Sequence, residues 1–117
     1  MEKGEIKLNT MISYLYRDAS NYKARNHIVC KGEFTEPLRK KIMDSLEDSC
    51  YFVPEQIGLP ITRPDDTLTE DDHGYCELYE DDFTLVDEKP DIECSIEELS
   101  EKFSRVGPDG WMDPTFI

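Results

Sequence analysis

Nowhere in the 117 residues do 18 apolar residues run together, so a membrane-spanning helix is excluded. The opening Met1-Glu2-Lys3-Gly4-Glu5 carries acids and leads into no apolar segment of signal-peptide length, which makes a reducing, cytoplasmic setting the expectation. Paired cysteines are missing as well. Cys30, Cys50, Cys76 and Cys94 lie too far apart for the short spacings of zinc sites and redox dithiols. In a reducing compartment they read as small buried hydrophobes. Histidine is scarce, with only His27 and His73. Nucleophile elbows, phosphate-cradling glycine loops and paired zinc-binding histidines on a helix do not occur. Asp65-Asp66-Thr67-Leu68-Thr69-Glu70 lacks the central glycine of a calcium loop.

Basic residues are the other scarcity, and it is uneven. The chain holds 13 Lys and Arg against 27 Asp and Glu, a net charge of -14. Residues 1–60 carry 9 bases and 9 acids and are neutral; residues 61–117 carry 4 bases and 18 acids, the whole imbalance. Between Asp65 and Glu98 stand 15 acids and one base, Lys89. Such a chain repels phosphate, which argues against nucleic acid or an anionic membrane as direct partner. The hydrophobic share of 38% is low, yet 5 Phe, 6 Tyr and 1 Trp are too many aromatics for a disordered acidic tail. At this length folding buries about two-thirds of the extended chain's surface, enough for one core. The expectation is a single domain over 1–117, with an acidic segment at 65–98 and a C-terminal tail at 107–117.

Periodicity supplies the elements. Thr10 to Tyr16 puts Ile12, Tyr14 and Tyr16 on one face of a strand, and Asp18-Ala19-Ser20-Asn21 has turn chemistry. Tyr22, Ala24, Ile28 and Cys30 then alternate against Lys23, Arg25, His27 and Lys31, with Asn26 interrupting the apolar face and Gly32 ending the strand. Thr35 and Pro37 open a helix with a stripe of Leu38, Ile42, Met43 and Leu46. Tyr51-Phe52-Val53-Pro54 is a short extended piece that Pro54 confines to an edge or an end. A proline-bearing loop follows over 58–66. Tyr75 to Tyr79 alternates with Cys76 and Leu78 inward, Glu80-Asp81-Asp82 reads as a turn, and Phe83 to Val86 as a strand. Ser95 and Glu98 match a capping box, and Ile96, Leu99, Phe103 and Val106 make a second helical stripe, stopped by Gly107-Pro108. This predicts an α+β domain, an antiparallel sheet with two helices in the order β-β-α-β-β-α.

The candidate chemistry is thin. Glu70-Asp71-Asp72-His73 with Cys76 gathers metal-binding groups within seven residues, but a strand at 75–79 turns Cys76 into the core. Cys76 with His73, or Cys30 with His27, lacks an orienting third group for nucleophilic work. No catalytic, cofactor-binding or metal residue is assigned, and no cofactor is implied. The acids are the stronger signal. Asp65 and Asp66, Glu70, Asp71 and Asp72, Glu80, Asp81 and Asp82, and Asp87 and Glu88 fall at loop or strand ends, where neighbours project together. A single strand offers same-face carboxylates about 6.7 Å apart, half the density of phosphates on one DNA strand, so only clusters could imitate a phosphate track. In the tail, Trp111 with Met112, Phe116 and Ile117 would be an apolar liability if exposed. Docking onto the domain's own sheet is the plainer reading; a partner anchor is the sharper one.

Tyr16-Arg17-Asp18-Ala19-Ser20-Asn21-Tyr22-Lys23 resembles the opening signature of a family of small acidic proteins from gut bacteria and their mobile elements. The resemblance continues through Tyr51-Phe52-Val53-Pro54-Glu55-Gln56-Ile57-Gly58-Leu59-Pro60 and Glu70-Asp71-Asp72-His73. It extends to Glu77-Leu78 with Asp81-Asp82-Phe83 and to the helix from Ser95. That family has no assigned activity, so the resemblance brings no catalytic residues. It implies a bacterial cytosolic protein, accessory or defence-related.

The expectation is therefore a non-enzymatic acidic protein acting on a basic protein surface. Its partner-binding residues are the acids just named, with Trp111. The sharpest version is a nucleic-acid mimic that inhibits a nucleic-acid-binding enzyme, of anti-restriction or anti-CRISPR type. Three alternatives stay open: an acidic adaptor without mimicry, an accessory subunit docked through its apolar tail, and a small metal- or thiol-dependent enzyme centred on His73 and Cys76. Oligomeric state is left undetermined.

Overall fold

The computed structural model describes residues 8–17, 23–61 and 74–111. β1 (Asn9–Arg17) alternates half-buried and buried residues along its whole length, with Thr10, Ile12, Tyr14 and Tyr16 inward. It pairs antiparallel with β2 (Lys23–Cys30) from Thr10 opposite Cys30 to Arg17 opposite Lys23. The polar turn expected at 18–21 lies outside the described residues. Asn26, which broke the apolar face of β2 in the sequence, is buried on it.

α1 (Glu36–Asp44) begins where expected, with the Thr35 hydroxyl accepting from the Leu38 N–H and Pro37 in the first turn. The short extended piece is a strand, β3 (Tyr51–Phe52), which raises the count to five. It runs at the end of the sheet, and Pro54 begins a 3-10 turn, Pro54–Ile57. The strand expected over Tyr75–Tyr79 is shorter, only β4 (Cys76–Glu77), and the bond from Leu78 N–H to the Cys50 carbonyl carries its ladder with β3 one rung further. A second 3-10 turn, Glu80–Asp82, leads into β5 (Phe83–Val86). The sheet is antiparallel, in the order β2-β1-β4-β3, with β5 also on β1. The α+β fold with one antiparallel sheet and two helices is the observed one.

α2 (Ile96–Asp109) carries the capping box in full: Ser95 Oγ accepts from Glu98 N–H, and Glu98 returns a carboxylate to Ser95 N–H. Here the expected stop at Gly107-Pro108 is corrected, since the helix runs through both to Asp109. A proline in the last turn forfeits a single backbone bond, and Gly110, at φ +93°, ends the helix with its N–H on the Val106 carbonyl. Gly107 is needed for another reason. A Cβ there would lie 2.7 Å from the Ser45 carbonyl oxygen, so glycine lets α2 cross the end of α1.

The core lies between the inner sheet face and the two helices. Phe52 is central to it: its ring meets Tyr14 edge-on at 5.4 Å, Phe103 at 5.2 Å and Trp111 at 5.9 Å. Burying such rings is the main stabilising term, at roughly 25 cal/mol per Å² of apolar surface.

Candidate binding surface

β4 and β5 are two pieces of one return strand. Leu15 faces Glu77 and Ile12 faces Phe83, so three steps along β1 correspond to six along the return chain. The surplus bulges out as the turn Glu80–Asp82, and a bulge at a sheet edge re-aims the side chains it carries. Three consecutive carboxylates are the natural content of such a bulge, because acids favour the first turn of any helical segment. Asp82 caps the turn, its Oδ2 accepting from Tyr79 N–H at 2.9 Å. Its Oδ1 faces Arg25 Nη1 at 3.4 Å across the outer sheet face. From the helical side, Arg39 donates to the Glu80 carbonyl at 3.3 Å while its guanidinium lies over the Phe34 ring. Two arginines thus fix the bulge, and the side chains of Glu80 and Asp81 are left exposed.

β5 follows at once. Asp87 and Glu88, both exposed, close its far end, where Asn9 Nδ2 donates to the Glu88 carbonyl. Asp82 and Asp87 are five residues apart on extended chain, roughly 17 Å. Between them Thr84 and Leu85 are exposed and uncharged. Beyond Glu88 the chain crosses to the outer edge of β2, where Asp91 N–H donates to the Val29 carbonyl and its carboxylate accepts from Val29 N–H. Further acids border an open groove of about 550 Å³ between the start of α1 and the start of α2: Glu33, Glu93, Glu97 and Glu98, with Lys31.

Of the expected partner-binding residues, Glu80, Asp81, Asp82, Asp87 and Glu88 therefore flank one strand, with Asp82 committed to the fold. Asp65, Asp66, Glu70, Asp71 and Asp72 lie outside the described residues, as does His73. Trp111 is a correction to the partner-anchor reading. Only 4% exposed, it packs edge-on to Phe52 and Phe103 and donates from Nε1 to the Ser45 carbonyl at 2.9 Å. The plainer reading of that residue holds, since an indole is buried readily when its N–H finds an acceptor.

Sequence reasoning missed one polar cluster. The alternation over 75–79 puts Glu77 on the outward face of its strand, yet it is buried at 7% exposure. Arg17 Nε donates to its Oε2 at 3.0 Å and Tyr79 Oη to its Oε1 at 2.7 Å. That bond to Glu77 holds the Tyr79 hydroxyl well above its ordinary pKa. The available signal was Arg17 two residues beyond Leu15 on the neighbouring strand, and it needed the register to be visible. Cys50 stands beside this cluster with its thiol pKa raised, chiefly by burial and against the pull of a hydrogen bond with Tyr79. Burial likewise pushes Cys30 up to about 12 and raises Cys94. An activated nucleophile needs the opposite shift. Among the described residues no three His, Cys, Asp or Glu side chains gather as a metal site.

Compared with known proteins, the chain matches no family model, no curated protein and no solved structure.

Proposed function

We propose that this protein is a non-enzymatic binding protein that engages a basic protein surface through its segregated carboxylates. The observation that supports this reading is the distribution of free acids. Within residues 74–111 the ion pairs of Glu77, Asp82 and Glu101 run to Arg17, Arg25 and Lys41 of the neutral half. Glu80, Asp81, Asp87, Glu88, Glu93 and Glu97 are exposed and enter no ion pair among the described residues. Unneutralised charge of one sign raises the encounter rate with an opposite surface and weakens as salt rises. Nucleic-acid mimicry, as in an anti-restriction or anti-CRISPR inhibitor, is the narrower version. The acids at the two ends of β5 are separated by an uncharged strand, so an unbroken phosphate-like row is not required for the broader reading.

The test is capture from host lysate at low salt with release in a salt gradient, set against a variant carrying Glu80→Lys, Asp81→Lys, Asp87→Lys and Glu88→Lys. Asp82, Glu77 and Asp91 are spared because their carboxylates accept hydrogen bonds the fold uses. The expected result is a partner retained by the parent protein, released in mid-gradient, and lost by the folded variant. Competition by duplex DNA for that partner would support mimicry. Equal capture by parent and variant would end the proposal.

A further inference from the structure

Among the described residues the outer edge of β2 is covered only at Val29, by Asp91, and past its end by the bridge from Lys31 to Ser95. Over residues 23–27 it is open, but it carries Lys23 and Arg25, and β3 is closed by its bridge to Glu47. β3 in turn covers β4, with Tyr51 opposite Glu77, and ends before Pro54. β5 pairs with β1 alone among the described residues, so one side of Phe83–Val86 is unpaired. In an antiparallel strand alternate residues turn both N–H and C=O outward, a ready template for another strand. Leu85, 38% exposed, adds an apolar contact beside that edge.

We propose that the open edge of β5 takes up an extended, basic segment of a partner protein by strand addition. This rests on the acid-on-base reading above and names the form of the partner. The charge pattern selects the occupant. Antiparallel pairing of β5 with β5 of a second copy would bring Glu80–Asp82 of one chain against Asp87 and Glu88 of the other. Like charges set opposite each other are destabilising, so a second copy is repelled. The same flanks attract a strand with β-forming residues over the four positions of β5 and basic residues at both ends, about 17 Å apart. Backbone bonding then gives affinity and the flanking charges give selection.

The probe is a synthetic peptide, Lys-Arg-Thr-Val-Thr-Val-Arg-Lys, titrated into the intact protein by calorimetry and followed by amide hydrogen exchange. Three results are expected. Binding weakens at least tenfold between 50 and 300 mM salt; the outward amides of β5 slow their exchange; and the same peptide with proline at its central Val-Thr pair binds at least tenfold more weakly. Asp81→Lys with Asp87→Lys should lower affinity comparably while leaving the exchange of β1 and β2 amides unchanged. If the parent peptide binds without protecting β5, or the proline peptide binds as well, strand addition is overturned while the acidic-surface reading stands. Concentration-dependent protection of β5 in the protein alone would assign the edge to a second copy instead, and overturn the proposal. If the peptide fails while a folded basic protein binds, the edge is again excluded; if neither binds, both readings fall.

Discussion

Gly107→Ala sets two effects against each other, and the geometry decides between them. Alanine is the better helix former, by at most about 1 kcal/mol at a position near a helix end. Its Cβ, however, would lie 2.7 Å from the Ser45 carbonyl oxygen and 2.9 Å from both Ser45 Cα and Cβ. Two of those three atoms are backbone, so no side-chain rotation relieves the clash and the end of α1 must move away from α2. Overpacking of this kind costs about 1–3 kcal/mol. The shift also disturbs the bond from Trp111 Nε1 to that same carbonyl, worth about 1 kcal/mol net. The helix gain and the lost bond roughly cancel, leaving a destabilisation of about 1–3 kcal/mol. At about 4 °C per kcal/mol for a domain of this size, Tm should fall by roughly 4–12 °C. Urea unfolding gives the free energy directly, and the emission of Trp111, the single tryptophan, should shift red in the native baseline. Gly58→Ala is the control. Its φ of +77° makes alanine strained by about 1–2 kcal/mol, but no heavy atom lies within 4 Å of a Cβ there, so the emission should not change. A Gly107→Ala protein as stable as the parent, with unshifted emission, would refute this account of the α1–α2 crossing.

The remaining predictions concern the tail, the cap and the thiols. Trp111→Ala should cost about 3–5 kcal/mol in urea unfolding, as for any large buried aromatic, whereas a partner anchor would leave stability unchanged and lower only binding. Glu98 is held below the ordinary carboxylate range by its bonds to Ser95, and Glu101 by Lys41. A lowered folded pKa adds stability that is complete above the unfolded value and is lost as pH falls through the folded one. The urea midpoint should therefore drop on acidification below about pH 4.5, and Glu98→Gln should flatten that drop; an unaltered acid limb would remove Glu98 from the account. Native protein at pH 8 should react slowly with a thiol reagent, Cys30 and Cys76 reacting only on unfolding and Cys50 and Cys94 well below the rate of free cysteine. Rapid labelling of Cys50 would contradict its raised pKa.

Local signals announced most of the fold. The period-two faces of β1 and β2, the Thr35 cap and the Ser95–Glu98 box are written in neighbouring residues, and each is found where its chemistry puts it. What stayed hidden depends on partners far along the chain. Glu77 reads as an outward residue until the pairing of β4 with both β1 and β3 surrounds it and brings Arg17 within 3.0 Å. Gly107-Pro108 reads as a helix stop because the sequence does not reveal that Ser45 approaches there and favours glycine inside the helix. The three-residue surplus between Glu77 and Phe83 was equally invisible. Turn chemistry at Glu80-Asp81-Asp82 was legible, but that β4 and β5 continue one line along β1 follows only from register.

Register also separates acids that build the molecule from acids that remain available. Asp82, Asp91 and Glu98 each accept from a backbone N–H, and Glu77 is held by Arg17 and Tyr79, so their charges are tied to the fold. Solubility asks for a net charge of magnitude about 2–8 in a small domain, and this chain carries -14. Self-repulsion at that level destabilises the compact state. Among the described residues, exposed carboxylates outside any ion pair occur in both halves, Glu33, Glu47, Asp48 and Glu55 in the neutral one, while Glu80, Asp81, Asp87 and Glu88 gather at the two ends of β5. Acids gathered there repel a like copy and attract a basic strand. That coincidence is why the acidic surface and the open edge of β5 are best read as one feature.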